Sequence, residues 1–339
     1  MTLAQNITDL RAALGARLCI LAHHYQTDSV VRHADILGDS LELARRIDGL
    51  KAEHIVFCGV HFMAETAAIL ARPGQKVHIP DTGASCVMAE MAPAPLVEMV
   101  LTRLNRGGAR VIPLTYVNSS AAVKAVCGRF GGSVCTSANA ATMLRWALDQ
   151  GDGVLFLPDA NLGRNTARLL GLGDDVIKRL DVRGEGALVA PADPAHQLYL
   201  WPGLCAIHAK FQTGQIEALR SRHPEALFLV HPECSPDVVS LADGAGSTSY
   251  LIKEVAAAPA GATVFVGTEW NLVNRLRTRH ADKDIRPLRK ALCSNMAKIT
   301  EEKLLRALEG LETAPPVVVD EAVAAPARLA LERMLAACR

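Results

Sequence analysis

The feature that most restricts this chain is a pattern that comes three times: apolar, β-branched runs bounded by Gly, Pro or Asp, alternating with alanine-rich amphipathic stretches. Apolar strands crossed over by helices are the mark of parallel sheets buried on both faces, so the pattern predicts an α/β fold throughout. In the first third RLCILAHH, HIVFCGV and QKVHIP read as strands, and GDSLELARRI and FMAETAAILA as helices. ARVIPLTYV, GSVCTSA and GVLFLPDA are the strands of the second third, with SAAVKAV, NAATMLRWAL and NTARLLGL as its helices. The last third uses ALFLVHP, a short stretch near GSTS, and ATVFVGTE, joined by PDVVSLAD and SYLIKEVAAA. Domains are expected over 1-105, 106-210 and 211-339, with C-terminal helices of the last packing back on the body. A chain of 339 residues, half of them apolar, has material for cores of that number.

The strands of each third end in polar residues: His23 and Tyr25, then Tyr116 and Asn118, then His231 and Glu233. Open parallel sheets bind ligands outside the carboxyl ends of their strands, so three sheets with those ends facing inward would share one site. Each third also places a cysteine beyond its third strand, in SCVMAEM, WPGLCAIH and LCSNMAKI, which singles out Cys86, Cys205 and Cys293. No Cys-x-x-Cys pair marks a zinc ribbon or compact cluster motif. Three thiolates on a four-iron cluster would leave one iron open, a Lewis acid able to polarise a hydroxyl or carboxylate.

Thirty-six basic and 35 acidic residues nearly cancel, so no global field recruits nucleic acid or an anionic membrane, and the expected partners are small molecules. The N-terminal MTLAQNITDLRAALGARL lacks the apolar core of a signal peptide, and no run of about 18 apolar residues occurs, which predicts a cytoplasmic protein. Nine cysteines in a reducing compartment are free thiols, ligands or catalytic groups. Cys19, Cys58 and Cys135 lie in strand runs and read as packing residues; Cys127 and Cys338 have no ligand pattern around them. Cys234, in the polar loop HPECSPD, is the rival to the chosen three.

Ser40, in GDSLEL, sits where a loop enters a helix, and a plain cap by Asp39 or Ser40 explains it as well as a site does. Ser247 and Thr248 in GSTS run into a helix whose N–H groups suit a phosphate or carboxylate, although small polar residues often only cap. Thr136 and Ser137, and Ser119 and Ser120, repeat that chemistry. His231 and Glu233 alternate on an extended segment and so share a face, an arrangement suited to acid–base work, unless the histidine merely satisfies backbone groups. No Gly-x-Gly-x-x-Gly after a strand and no Walker sequence is present.

Taken in order, AHHYQ, GDSLELAR, GVHFMAETA, YVNSSAAVKA, CTSANA, PDANLGRN, WPGLCAIH, HPECSPDVVSLAD, GSTSYLI, GTEWNL and CSNMAKIT resemble the quinolinate synthases. The resemblance implies three similar three-layer αβα domains about a pseudo-threefold axis, and a central [4Fe-4S] cluster on Cys86, Cys205 and Cys293. It implies condensation of iminoaspartate with dihydroxyacetone phosphate to quinolinate, with loss of phosphate and two waters, in NAD biosynthesis; an L-aspartate oxidase would supply the iminoaspartate. By the same resemblance His23, Tyr25, Tyr116, Asn118, His231 and Glu233 line the active site, and Ser40, Thr136, Ser137, Ser247 and Thr248 are its anion-binding hydroxyls. Glu233 would move protons, with His23 and Tyr25 steering intermediates. Ser294 stands where the family often has proline, and a second Cys-x-x-Cys seen in some members is missing, which puts a regulatory disulfide in doubt. Two other readings stay open: a cluster-dependent hydro-lyase on another hydroxy acid, and a sensor in which His208 closes a zinc or cluster site.

Overall fold

A computed structural model describes residues 2–338. Its strands form three wholly parallel sheets. The first, in the order β2-β1-β3-β4, comprises β1 (Leu18–His23), β2 (Ile36–Gly38), β3 (His54–Cys58) and β4 (Lys76–His78). The second comprises β5 (Val111–Tyr116), β6 (Ser133–Cys135), β7 (Gly153–Leu157), β8 (Ile177–Arg179) and β9 (Leu198–Leu200), in the order β6-β5-β7-β9-β8. In the third, β10 (Leu227–Val230), β11 (Gly244–Ala245), β12 (Thr263–Gly267) and β13 (Asp284–Pro287) lie as β11-β10-β12-β13. One topology is thus used three times, with β8 added at the edge of the second sheet.

The central strands are buried along their whole length, as β1, β3, β5 and β7 show, because helices cover both faces of each sheet. In the third sheet the strand period of two sorts side chains cleanly: Phe228, Val230 and Phe265 enter one apolar cluster, and Leu229, Val264 and Val266 the other. The first two sheets share one continuous core. The C-terminal helix Glu321–Ala337 packs on Ala121–Arg129 of the second unit, and Glu301–Glu309 packs on the N-terminal helix Leu3–Leu14.

The sequence reading missed β2, β8, β9 and β13, each only three or four residues long. Its placement of the cysteines also needs correction. Cys86 follows QKVHIP, which is β4, as expected, but Cys205 and Cys293 follow not β7 and β12 but the strands paired outside them, β9 and β13. Cys19, Cys58 and Cys135 are buried in strands as expected.

Candidate active site

Strand register makes the three repeats comparable residue by residue. Ala22, Thr115 and Val230 occupy equivalent positions opposite the ends of β3, β7 and β12. The next residues are His23, Tyr116 and His231, and two further on stand Tyr25, Asn118 and Glu233. Beyond the edge strands the same alignment groups Asp39 with Thr136 and Ser247, and Ser40 with Ser137 and Thr248. These carboxyl-end residues converge on one cavity of about 120 Å³, lined from all three units. Every residue proposed from sequence is in its wall except Ser247, whose hydroxyl accepts the Tyr250 N–H at 3.3 Å and caps the helix Thr248–Ala257.

The helices Ser40–Ile47 and Thr248–Ala257 begin at this wall and place their first residues, Ser40 and Thr248, in it, at the helix ends that favour anions. Asp39 caps the first through the Leu41 and Glu42 N–H groups, both at 3.0 Å, and its other oxygen accepts the Ser249 hydroxyl at 2.6 Å, tying the first unit to the third. The cap reading of GDSLEL therefore holds beside the cavity position of Ser40. Asn118 Oδ1 is buried without a hydrogen-bond partner, an acceptor left for whatever fills the cavity.

A chain of hydrogen bonds links three wall residues, Glu233, His208 and Tyr25, through the buried Thr268. Glu233 Oε2 accepts from His208 Nδ1 at 2.7 Å, which leaves His208 Nε2 to accept from the Thr268 hydroxyl at 3.2 Å. The Thr268 oxygen lies 3.0 Å from the Tyr25 hydroxyl and can accept from it. His231 stacks on His208 with ring centroids 4.4 Å apart. Burial alone would raise the Glu233 carboxyl; His208 and His231 outweigh it and hold the group below the usual carboxylate range. Burial depresses His23 and His231 to about 3, so both rings are neutral at working pH, and it pushes the Tyr25 and Tyr116 phenols well up, with Glu233 adding to both. His208 and Thr268 were not among the site residues read from sequence. The spacing of His208 three residues after Cys205 was a signal; Thr268 had none.

Cys86, Cys205 and Cys293 reach the cavity from equivalent loops. Each carbonyl accepts the N–H four residues on, from Glu90 at 3.2 Å, Ala209 at 3.0 Å and Ala297 at 3.0 Å. Burial pushes Cys86 to about 12 and raises the other two, so these thiols stay protonated until a metal takes their protons. Three soft sulfur donors on three separate loops, facing one shared cavity, fit an iron–sulfur cluster better than a compact single-ion site. Cys205, His208 and Glu233 also offer ligand atoms within 4.8 Å of one another, but both His208 nitrogens already have partners. The rival Cys234 is buried in the apolar cluster of Phe228 and Phe265 and is not part of the cavity wall.

Three parallel sheets that deliver neutral imidazoles, a buried carboxylate and three thiols to one cavity define an α/β enzyme of small polar molecules. Residues 5–336 match the family described as quinolinate synthetase A protein. The chain is similar to the quinolinate synthase of a Nocardioides species, 47% identical over 96% of this chain and 87% of the relative. Its likeness to that of Bacillus pumilus is 44% over 98% and 92%, and to that of Streptomyces coelicolor 47% over 95% and 85%. The chain belongs to the quinolinate synthase family, enzymes of NAD biosynthesis. No helix among the described residues is long and apolar enough to cross a membrane.

Proposed function

We propose that this enzyme condenses iminoaspartate with dihydroxyacetone phosphate to quinolinate, releasing phosphate and two waters, with a [4Fe-4S] cluster held by Cys86, Cys205 and Cys293. The observation that carries the reading is the Glu233–His208–Thr268–Tyr25 chain running beside three thiols in one cavity. When bound, the cluster supplies a Lewis-acidic iron with an open position. The rest of the chemistry falls to the chain. Hydroxyls of Ser40, Thr136, Ser137 and Thr248, with the helix N–H groups behind them, receive the phosphate and carboxylates of two anionic substrates, while Ser247 fixes the start of the third helix. Asn118 and Tyr116 orient the condensing atoms. Glu233 takes and returns protons through His208, and Tyr25, at the far end of the chain, exchanges a proton with the substrate carbon frame. Neutral His23 and His231 donate or accept hydrogen bonds without adding charge. The iminoaspartate would come from an L-aspartate oxidase acting in the cytoplasm.

Anaerobic assay for quinolinate from the two substrates tests this reading. Glu233→Gln should lower kcat by roughly 10²–10⁴-fold while leaving the cluster absorbance intact; a variant with parental turnover would remove Glu233 from proton transfer. A parent that dehydrates another hydroxy acid instead would favour the hydro-lyase. Metal content separates the sensor reading, about four irons per chain for the cluster against a single zinc.

A further inference from the structure

Register aligns a second set of residues, Val60, Asp159 and Glu269, each two positions past the end of β3, β7 or β12. In all three repeats the following N–H donates to the carbonyl two residues before the cysteine: His61 to Ala84 at 2.8 Å, Ala160 to Gly203 at 2.9 Å and Trp270 to Ala291 at 2.9 Å. The cysteine loop is thereby pinned to the end of its neighbouring strand. Two of the three aligned residues are acids, and both are fully buried. Each caps the next helix, Asp159 through the Leu162 N–H at 2.8 Å and Glu269 through the Asn271 N–H at 2.7 Å.

A cap needs one oxygen, and serine or asparagine would provide it with less desolvation than a buried carboxyl. In Glu269 the second oxygen has other work: Oε1 accepts the backbone N–H of Cys293 at 3.3 Å, beside the Asn271 side-chain amide at 3.3 Å. Asp159, one methylene shorter, makes no such bond; its Oδ2 is buried without a hydrogen-bond partner. Val60 offers nothing of the kind; the Cys86 loop is tied from outside instead, by Lys298 Nζ on the Gly83 carbonyl at 2.6 Å and by Lys303 on Asp81.

We propose that Glu269 is a positioning residue, latching the backbone of the cluster-ligand cysteine Cys293 to the strand beside it. The latch rests on the cluster reading above and deepens it: the Cys293 loop is held by a buried carboxyl, and the Cys86 loop by surface lysines. Cluster retention therefore depends on side chains that touch neither substrate nor metal.

The test uses the full-length chain, reconstituted anaerobically, with iron per chain, cluster absorbance and the rate of stripping by an iron chelator as readouts. Glu269→Ser keeps a cap but cannot reach the cysteine N–H, whereas Glu269→Gln keeps one acceptor oxygen at full length, enough for the cysteine N–H though not for the cap as well. Glu269→Ser should lose the cluster roughly tenfold or more faster than the parent, with Glu269→Gln close to the parent. Glu269→Asp, a milder change, should fall between them and serves if Glu269→Ser does not fold. Parental stripping rates in Glu269→Asp and Glu269→Ser would overturn the latch and leave the cluster reading standing. A parent that takes up no iron–sulfur cluster would overturn both.

Discussion

At His23 and His231 burial outweighs the opposing pull of the Glu233 carboxylate, and the consequence is a pH dependence. Their native values, near 3, lie below the ordinary imidazole value of about 6.5, so between those limits the unfolded chain binds protons that the folded one refuses. Stability therefore rises with pH through that window and is lost as pH falls. Each ring should remove about 2 kcal/mol between about pH 6.5 and 5, and buried His78, lowered to about 4, a similar share. Urea unfolding at those two pH values measures it, and His231→Asn should flatten the slope; an unchanged slope would contradict the assignment. The residue scale is also where reading the sequence stopped soonest. His23, Tyr25, His231 and Glu233 were legible as polar groups ending apolar strands. His208 was legible only as a possible ligand, because its partners Glu233 and Thr268 lie 25 and 60 positions away.

Among the elements, the C-terminal helix shows how closely the repeats are wrapped. It crosses Ala121–Arg129 at Gly128, where an added Cβ would lie 1.8 Å from the Pro326 carbonyl oxygen, inside any permitted contact. Arg333 donates to the Gly128 and Gly132 carbonyls at 3.2 and 2.7 Å, and the Ser133 hydroxyl to Ala330 at 3.0 Å, fixing the approach. Gly128→Ala must push the helices apart and should cost about 1–3 kcal/mol in chemical unfolding, with a fall in Tm. No loss would mean that the helix docks elsewhere. Long buried strands such as β1 and β5 could be read from their apolar runs. The three-residue strands β2, β8 and β9 could not, since so short a segment carries no period and forms only because a neighbour supplies its hydrogen bonds.

For the whole molecule the decisive joint runs between the first and third units. Arg275, buried in the helix Trp270–Arg279, donates to the His24 carbonyl at 2.7 Å, the Gln26 carbonyl at 2.5 Å and Asp28 at 2.6 Å. Asn271 of the same helix donates to the Tyr25 carbonyl at 3.0 Å. The loop that carries Tyr25 is thus shaped by another sheet's helix. Arg275→Lys keeps the charge but loses the planar fork, and misplacing the loop by about 1 Å should lower kcat/KM roughly a hundredfold. Parental kinetics in that variant would show that the joint does not set the site. By itself the sequence determined the α/β class, the threefold repetition, the strand-end residues and the three cysteines, because period and turn chemistry are local. Only the tertiary structure decided the hydrogen-bond chain through His208 and Thr268, the contact of Glu269 with the Cys293 backbone and the joint at Arg275. Each depends on groups far apart in the chain, brought within hydrogen-bond distance by sheets packed end to end around one cavity.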